Sequence, residues 1–389
     1  MNKKISLGLA ISLIAIASAV TFIITSFFSL QNFNNKVEDV NEKAKKYNSL
    51  QSLDSIVRES YYGEIDEDKL RIGILKGYVE GLSDGSSRYL TPEEYEEEKM
   101  KTSGQMIGIG ISVEENERGL MAISAIEEAS QVAETAISTG DVITEIDGKT
   151  VTEMEFKEAE RLLFGNNGTE VAVKVHHGGT DIEETFMRHP YEIKSVESEV
   201  RGDGYGYIKI SAFNENTYIQ FLETLSTLNG QGVKGYIFDV RNNSGGVISS
   251  LQSCLDPLLP EGVIAVADYG DDSSETMIYS DSSEAELPMV VLVNENTAGM
   301  GELFAAAVRD FKGGSIVGSQ TKGEGSVQEM KELDDGSAVV ITTGKYRTSK
   351  SDYFDGTGLN PDYVIRGSES DEIDQQYEMA EDVIVSKTL

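Results

Sequence analysis

The sequence contains few of the residues from which disulfides, metal sites and histidine-dependent active sites are built. Its 389 residues include one cysteine, Cys254, which excludes an intrachain disulfide and a cysteine-rich metal site. Of its three histidines, His176 and His177 precede a Gly-Gly turn and His189 precedes a proline, a placement that argues against a Ser–His–Asp triad. The sequence has no H-E-x-x-H motif, cysteine pair or EF-hand loop. We therefore predict neither a metal ion nor another cofactor.

Basic residues are also scarce. The chain has 33 Lys and Arg residues against 67 Asp and Glu residues, which gives a formal net charge of −34. A surface of this sign repels the phosphates of nucleic acids and of anionic lipids. We therefore predict no nucleic-acid partner, and we interpret most of the acidic residues as a solvated surface that aids solubility.

Charge is absent from a long stretch near the N-terminus. The run from Ile5 to Leu30 is uncharged and mostly apolar, follows Lys3 and Lys4, and exceeds the roughly 20 residues that span a bilayer. A signal peptide cleaved near residues 17–19 is the alternative, but its apolar part would usually be about 7–15 residues long. We predict that residues 1–30 are an uncleaved, single-pass anchor in the cell membrane. Lysines before the run place the N-terminus inside and the body on the extracytoplasmic side.

Residues 31–101 are predicted to be a helical stalk followed by a helical unit. Apolar residues recur at steps of four and three between Phe33 and Tyr47, as on one face of a helix. The pattern predicts either a short coiled-coil stalk or a helix packed on the body of the protein, and a homo-oligomer is among the expected partners. Residues 91–94, Thr-Pro-Glu-Glu, have the residue types of a helix start.

Residues 102–187 resemble a PDZ domain, because residues 140–148 follow its pattern G-D-x-I-x-x-I-D/N-G. The carboxylate-binding loop of such domains falls on four residues: Gly108, Ile109, Gly110 and Ile111. The resemblance implies that backbone N–H groups there bind a terminal carboxylate while the peptide extends a sheet edge. The expected partner is an unstructured polypeptide or a protein C-terminus. Glycines that merely open a strand would give the same loop pattern.

Residues 188–389 alternate short apolar runs with stretches of helical character, which predicts a mixed sheet with helices. The predicted fold class is therefore α+β, or mixed α/β: a membrane helix, a helical unit, a PDZ domain and a larger core that ends in a helix. No internal repeat or low-complexity segment is evident.

The most specific motif lies in the segment VLVNENTAGMGELFAAAVRDFKGGSIVGSQTKGEGSVQ, residues 291–328. It resembles the active-site segment of the carboxyl-terminal processing peptidases, also called tail-specific proteases, which show a T/S-A-S-A-S-E run and, further on, F-G-K-G-x-V-Q. The matching residues are Thr297, Ala298, Glu302, Gly323, Gly325, Val327 and Gln328. The family's catalytic serine falls on Gly299 and its lysine on Glu324. The resemblance extends over roughly residues 50–385.

Both replacements remove the chemistry that a Ser–Lys dyad needs. Such a dyad requires a hydroxyl that attacks and a neutral amine that takes its proton. Gly299 has no side chain, and Glu324 is a carboxylate whose reference pKa of about 4.3 makes it a poor base near neutrality. We predict a serine-peptidase fold that binds polypeptide without cleaving it, a pseudopeptidase.

A second family motif, D-L-R-x-N-x-G-G, resembles residues 239–246. In the family, a backbone N–H of this motif and the N–H after the serine form the oxyanion hole. By resemblance these groups belong to Gly245 or Gly246 and to Met300, and they could outlast the dyad because they are backbone donors. The glycines could instead serve only a tight turn, and for Asp239 and Arg241 we expect a buried salt bridge.

Two other hypotheses stay open at this point. Thr297 and Lys322 each lie two residues before a lost dyad position, so a displaced Thr297/Lys322 dyad would make the protein an active serine-type endopeptidase. A step of two residues along a strand is about 6–7 Å, however, which is a large displacement for a reacting group. The protein could also be a structural scaffold of the cell envelope.

Overall fold

The computed structural model describes residues 8, 18, 21–22, 24–27, 31, 45, 47–116, 118–127, 129–202, 204–270, 273–281, 286–367 and 373–388. Most of the predicted anchor and most of the predicted stalk lie outside these residues. Among the described residues, none belongs to a helix with the length and apolar character needed to cross a bilayer. The chain forms two compact units, residues 1–74 and residues 75–389.

In the first unit, residues 47–60 are helical, and helix α1 (Glu67–Glu80) begins there and ends in the second unit. Arg58 pairs with Asp54 on its own helix and, through both terminal nitrogens, with Glu67 at the start of α1. Strand β1 (Arg88–Leu90) and helix α2 (Pro92–Ser103) follow. Thr91 caps α2 in a capping box with Glu94, and Pro92 is the first helical residue, which confirms the predicted helix start.

The next segment has the architecture of a PDZ domain, as predicted. Its sheet has the order β3-β4-β5-β7-β8, with β6 paired to β5. The strands are β3 (Ile111–Glu115), β4 (Met121–Ile126), β5 (Val142–Ile146), β6 (Lys149–Thr150), β7 (Glu170–His177) and β8 (Thr180–Met187). Helix α3 (Phe156–Leu163) buries Ala159 and Leu163 against this sheet. Strand β3 is therefore an edge strand of the sheet. A two-stranded ribbon of β2 (Gln105–Gly108) and β9 (His189–Glu192) joins the two ends of the segment.

The core is built on a six-stranded sheet of order β10-β11-β12-β15-β16-β19. Its strands are β10 (Val196–Arg201), β11 (Tyr205–Ile210), β12 (Tyr236–Asp239), β15 (Met289–Val293), β16 (Ser315–Gly318) and β19 (Tyr363–Val364). All pairs except β10 with β11 are parallel. Its helices are α4 (Thr217–Gly230), α5 (Ile248–Leu255), α6 (Met300–Lys312) and α7 (Gln375–Thr388).

Both faces of this sheet pack against helices. Successive strand residues point to opposite sides, so each central strand supplies apolar side chains to both faces. Phe238 lies in a core with residues of α4, α5 and α6, and the preceding Ile237 lies in a second core with residues of α7. Strands buried on both faces have nearly continuous apolar sequences, which is why short apolar runs coincide with the four central strands, β11, β12, β15 and β16.

A second sheet packs in the same hydrophobic core and carries the end of the family motif. Its order is β1-β18-β13-β14, and β17 pairs with β18. The strands are β13 (Gly262–Tyr269), β14 (Ser274–Ser280), β17 (Ser326–Glu332) and β18 (Ala338–Thr348). The observed fold is mixed α and β with a PDZ domain and a protease-like core, as predicted.

Candidate functional site

The candidate site lies where two neighbouring parallel strands end. Strands β12 and β15 pair in parallel, so the loops that follow them, residues 240–246 and 294–299, leave the same edge of the sheet. The Ala298 N–H donates to the Asn243 carbonyl across these loops at 2.9 Å. The six-stranded sheet thereby brings the two family motifs together, although they are about fifty residues apart in the chain.

Gly299 occupies a sharp turn between β15 and α6, with φ 54° and ψ −114°. Side-chain-bearing residues rarely adopt such a positive φ, and holding one there costs of order 1–3 kcal/mol. A Cβ added at Gly299 would lie 3.5 Å from the Gly245 Cα and 3.7 Å from the Glu324 carbonyl oxygen, both ordinary contacts. Positions 299 and 324, on which the family's serine and lysine fall by resemblance, are therefore neighbours, and a Cβ atom at position 299 would meet no close contact.

The buried Glu302 carboxylate holds this turn. It accepts hydrogen bonds from the Gly299 N–H at 3.1 Å, the Gly323 N–H at 2.8 Å, the Glu324 N–H at 2.7 Å and the Thr321 hydroxyl. Burial raises the pKa of Glu302 above its ordinary value, and the four hydrogen bonds offset part of this effect. The family motif includes Glu302 but does not by itself predict that its carboxylate binds three backbone N–H groups of the site. The signal that identifies its role is a glutamate three residues after a helix N-cap.

The side chains of Lys322 and Glu324 form an ion pair at the rim of the site. Their Nζ and Oε1 atoms are 2.7 Å apart, and the side chains are 55% and 40% exposed. The ammonium of Lys322 thus points to the Glu324 carboxylate. The backbone N–H of Lys322 donates to the Thr297 carbonyl at 3.0 Å, so these two residues are close through their main chains.

The Thr297 hydroxyl is engaged elsewhere. It is fully buried, donates to the Val240 carbonyl at 2.8 Å, and accepts the Asn294 N–H at 3.0 Å. These bonds tie the loop after β15 to the end of β12. The structure thus places the Thr297 hydroxyl and the Lys322 ammonium in two different interactions.

The backbone donors of the site differ in availability. The Gly245 N–H donates to the Asn243 side-chain oxygen at 2.9 Å. For the N–H groups of Gly246 and Met300, the described part of the chain provides no hydrogen-bond acceptor. A Cβ at Gly245 would lie 3.5 Å from the Met300 nitrogen, so the two loops are in contact here. Of the two predicted glycine donors, Gly246 is the one whose N–H is not already bonded.

Asp239 and Arg241 form the buried salt bridge that the sequence suggested. Their side chains are 0% and 1% exposed, and Nη2 lies 2.6 Å from Oδ2. Arg241 also binds Asp374, just before α7, and Tyr207 donates to Asp239. Burial lowers the pKa of Arg241, but the hydrogen bonds to both aspartates outweigh it and keep the pKa above its ordinary value. The pair fixes the glycine loop to the body of the core.

Gln328, the last residue of the family motif, lies on β17 rather than at the turn. Its side-chain oxygen accepts a hydrogen bond from Arg88 of β1 at 3.2 Å, and its side-chain nitrogen contacts the Ser326 hydroxyl at 3.4 Å. Nothing in these contacts connects Gln328 to Gly299. Among the described residues, no group of three or more His, Cys, Asp or Glu side chains could hold a metal ion.

The predicted peptide-binding loop connects β2 to β3 at the open edge of the PDZ sheet. Gly110 has φ +74°, and its carbonyl accepts the Glu127 N–H. The Gly110 N–H has no hydrogen-bond acceptor within the ranges that the structure describes, and Gly108 forms an antiparallel bridge with Phe164 at the end of α3. The Ile109 side chain is buried in the core of the domain. The loop therefore presents the Gly110 N–H next to an unpaired strand edge.

A cavity of about 1050 Å³ adjoins this edge. It is lined on one side by Ile111 to Val113 of β3, and on another by Lys157, Glu160, Arg161 and Phe164 from α3 and its end. Core residues Glu197 and Lys209 also line it. The groove between β3 and α3 therefore continues toward the core.

Sequence models of known families match two parts of the chain: peptidase family S41 matches residues 204–365, and the PDZ domain matches residues 108–185. The carboxy-terminal processing protease CtpA of Bacillus subtilis (strain 168) is 30% identical over 364 residues, which cover 93% of this chain and 77% of that protein. A protein of Staphylococcus aureus (strain COL) named "Probable CtpA-like serine protease" is 28% identical over 363 residues, with coverage of 92% and 72%.

Among solved structures, a candidate S41 protease from Bacteroides fragilis NCTC 9343 is similar, with a TM-score of 0.55 and 15% sequence identity. The alignment covers 86% of this chain and 97% of that one. At this identity the similarity supports the fold alone.

Proposed function

The chain belongs to the carboxyl-terminal processing serine peptidases of family S41 and carries their PDZ domain, and from this premise we propose that it binds polypeptide C-termini without cleaving them. The single observation that carries the proposal is the composition of the turn at Gly299. The turn keeps its backbone conformation and its hydrogen bonds to Glu302, and residue 324 lies next to it. Residue 299, however, has no hydroxyl, and residue 324 has no amine.

The loss of both groups has a large kinetic consequence. Removing a single member of a cooperating catalytic unit can cost about as much as removing all of them, on the order of a million-fold in kcat. The Gly246 and Met300 donors stabilise an oxyanion only after a nucleophile has attacked, so they do not replace the hydroxyl.

The contacts of Thr297 and Lys322 argue against a displaced dyad. The hydroxyl of Thr297 is buried and donates its hydrogen to a backbone carbonyl. The side chain of Lys322 is more than half exposed, and its Nζ atom pairs with the Glu324 carboxylate rather than with the Thr297 hydroxyl. Activity from these residues would need both side chains to exchange their partners.

We also propose that the protein is anchored in the cell membrane by residues 1–30, with its PDZ domain and core on the extracytoplasmic side. The support is the uncharged run after Lys3 and Lys4. An unfolded or C-terminally exposed polypeptide in that compartment is the ligand class that fits the PDZ loop and its open sheet edge.

Restoration of the dyad tests the proposal. The double variant Gly299→Ser with Glu324→Lys is expected to cleave an unfolded protein with an apolar C-terminus at least about a hundredfold faster than the parent, because it returns a nucleophile and a base to a preserved turn. Cleavage is followed by mass spectrometry of the products.

The matched control is Gly299→Ala with Glu324→Lys. It introduces the same Cβ at the same positive φ and the same charge change, but no hydroxyl, and is expected to remain inactive. Cleavage by the parent protein that disappears in Thr297→Ala or Lys322→Ala would refute the pseudopeptidase proposal and establish the displaced dyad instead.

A further inference from the structure

The groove between β3 and α3 carries two carboxylates beside the predicted peptide-binding loop. Glu127 and Glu160 both line the cavity there, and both are half-buried. The Glu127 N–H donates to the Gly110 carbonyl at 2.9 Å, so the side chain of Glu127 begins directly next to the loop. A ligand carboxylate that binds the Gly110 N–H is therefore repelled by a group of the same charge. The ligand needs a feature that offsets this repulsion.

The two carboxylates act on the same part of the cavity. Tyr191 of β9 lines the cavity together with Glu127 and Glu160. Burial raises the pKa of the Tyr191 phenol, and the negative charges of both glutamates raise it further. Apolar side chains complete this part of the wall: Met106, Ile111, Ile126 and Phe164. A positive charge placed here would face two carboxylates in surroundings that are partly shielded from water.

The basic residues near the groove do not neutralise Glu160. Its neighbour Arg161 pairs with Glu97 of α2 at 3.1 Å and lies 3.7 Å from Glu94. Within the described ranges, Glu160 itself forms no ion pair with a basic side chain. The basic side chains on the opposite side of the cavity come from α2 and from the core, and they are Lys101, Lys194 and Lys209. The carboxylate of Glu160 is therefore available to a ligand in the groove.

The helix α3 determines which residue of the ligand meets Glu160. Because Gly108 bridges Phe164, the end of α3 lies at the peptide-binding loop. Glu160 lies four residues before Phe164, which is about 6 Å along the helix axis. A ligand strand advances about 3.3 Å per residue, so this distance corresponds to roughly two residues. Side chains two positions apart on a strand also point to the same side.

We propose that Glu160, assisted by Glu127, makes the PDZ groove select polypeptides with a lysine or arginine two positions before an apolar C-terminal residue. The inference rests on the proposed binding of polypeptide C-termini and names the class of C-terminus that is bound. The cationic group of the ligand approaches the two carboxylates, and the C-terminal side chain contacts the apolar wall. Since a net charge of −34 attracts any cationic peptide, selection has to depend on where the ligand carries its charge.

Four fluorescent peptides of equal length test this selection in the full-length protein. All end in the same apolar residue with a free carboxylate, and the third residue from the end is Lys, Gln or Glu. The fourth peptide has Gln there and carries the lysine near its N-terminus. At low salt the Lys peptide is expected to bind at least about tenfold more tightly than the Glu peptide, with the other two between them. Equal binding of the two lysine-containing peptides would overturn the proposal.

Charge reversal in the groove tests the residue. Glu160→Lys is expected to reverse the order, so that the Glu peptide binds more tightly than the Lys peptide, and Glu127→Gln is expected to reduce the preference for Lys. The matched control is Glu158→Lys, an exposed position on the same helix, roughly 200° around it from Glu160 and outside the cavity. It makes the same charge change and is expected to keep the wild-type order. An unchanged order in Glu160→Lys, or a reversal in Glu158→Lys, contradicts the proposal.

The Gln peptide separates this inference from the function on which it rests, because its binding to the wild type measures recognition of the C-terminus alone. If it binds while the Lys and Glu peptides bind equally well, the inference fails and the proposed function stands. If none of the peptides binds, both fail. Raising sodium chloride from about 0.02 M to about 0.5 M is expected to reduce the difference between the Lys and Glu peptides, since salt screens the charges.

Discussion

At the scale of single residues, the site is defined by what surrounds Gly299. Its backbone has a positive φ, and its N–H donates a hydrogen bond to Glu302. A Cβ atom added to it would lie 3.5 Å from the Gly245 Cα atom, an ordinary contact distance. A glycine adopts this conformation without strain. A glycine here therefore offers no nucleophile and spares the turn the cost of holding a larger side chain.

Glu302 leads to a pH prediction at the same scale. Because burial raises its pKa in the folded chain above the unfolded value of roughly 4.3–4.5, the stabilising contribution of its protonated form is complete below that value and is lost as the pH rises through the raised pKa. The difference in free energy of unfolding, wild type minus Glu302→Gln, is therefore expected to decrease as the pH rises from about 4 through the raised pKa. Urea denaturation measures it.

Glu324→Gln is the matched control, since it removes a carboxylate that contacts Lys322 at the surface of the same loop. If the difference for Glu302→Gln grows with rising pH, the hydrogen bonds to the carboxylate outweigh its burial, and folding lowers the pKa of Glu302 instead of raising it.

At the scale of elements, peptide binding depends on the loop between β2 and β3. At Gly110, φ is +74° and an added Cβ would lie 2.5 Å from the Ser130 Cβ. A larger residue must therefore displace the backbone that presents the Gly110 N–H group. The open edge of β3 supplies the remaining main-chain bonds to an added strand.

Gly110→Val is accordingly expected to weaken binding of a fluorescent peptide with an apolar, free C-terminus at least about tenfold, that is by about 1.4 kcal/mol or more. Amidation of the same peptide is expected to weaken binding to the wild type, because the loop then loses its carboxylate. Fluorescence anisotropy measures both effects.

Gly178→Ala provides the control for this variant. Gly178 also has a positive φ in the PDZ domain, at the β7–β8 turn, but has no atom within 4 Å of an added Cβ. It is expected to bind the peptide like the wild type. Tight binding by Gly110→Val, or by the amidated peptide, would show that the loop is not the carboxylate site and would favour the scaffold hypothesis.

At the scale of the whole molecule, the excess of acidic residues acts on stability as well as on partner choice. Many of the ion pairs are exposed, such as Lys69 with Asp66 and Lys331 with Glu329. Exposed pairs contribute little, typically about 0–1 kcal/mol each. The long-range repulsion of a net charge of −34 is therefore expected to dominate the response to salt.

We expect the melting temperature to rise when sodium chloride increases from about 0.02 M to about 0.2 M, because the Debye length shortens to below about 10 Å and screens this repulsion. Differential scanning calorimetry measures the change, with sodium and potassium chloride compared to separate screening from specific ion binding. A melting temperature that falls over this range would mean that attractive pairs outweigh the net repulsion.

The sequence was sufficient to predict the PDZ domain, the protease-like core and the central strands of that core, since strands buried on both faces must be apolar throughout. It also determined that position 299 has no hydroxyl and position 324 no amine, because the covalent identity of a side chain does not depend on folding. The hydrogen-bond partners of the other side chains at the site were decided by the tertiary structure. Thr297 bonds to a carbonyl 57 residues away, and Glu302 gathers donors about 20 residues away. Hydrogen-bond partners so distant in the chain are chosen only when the fold brings them together.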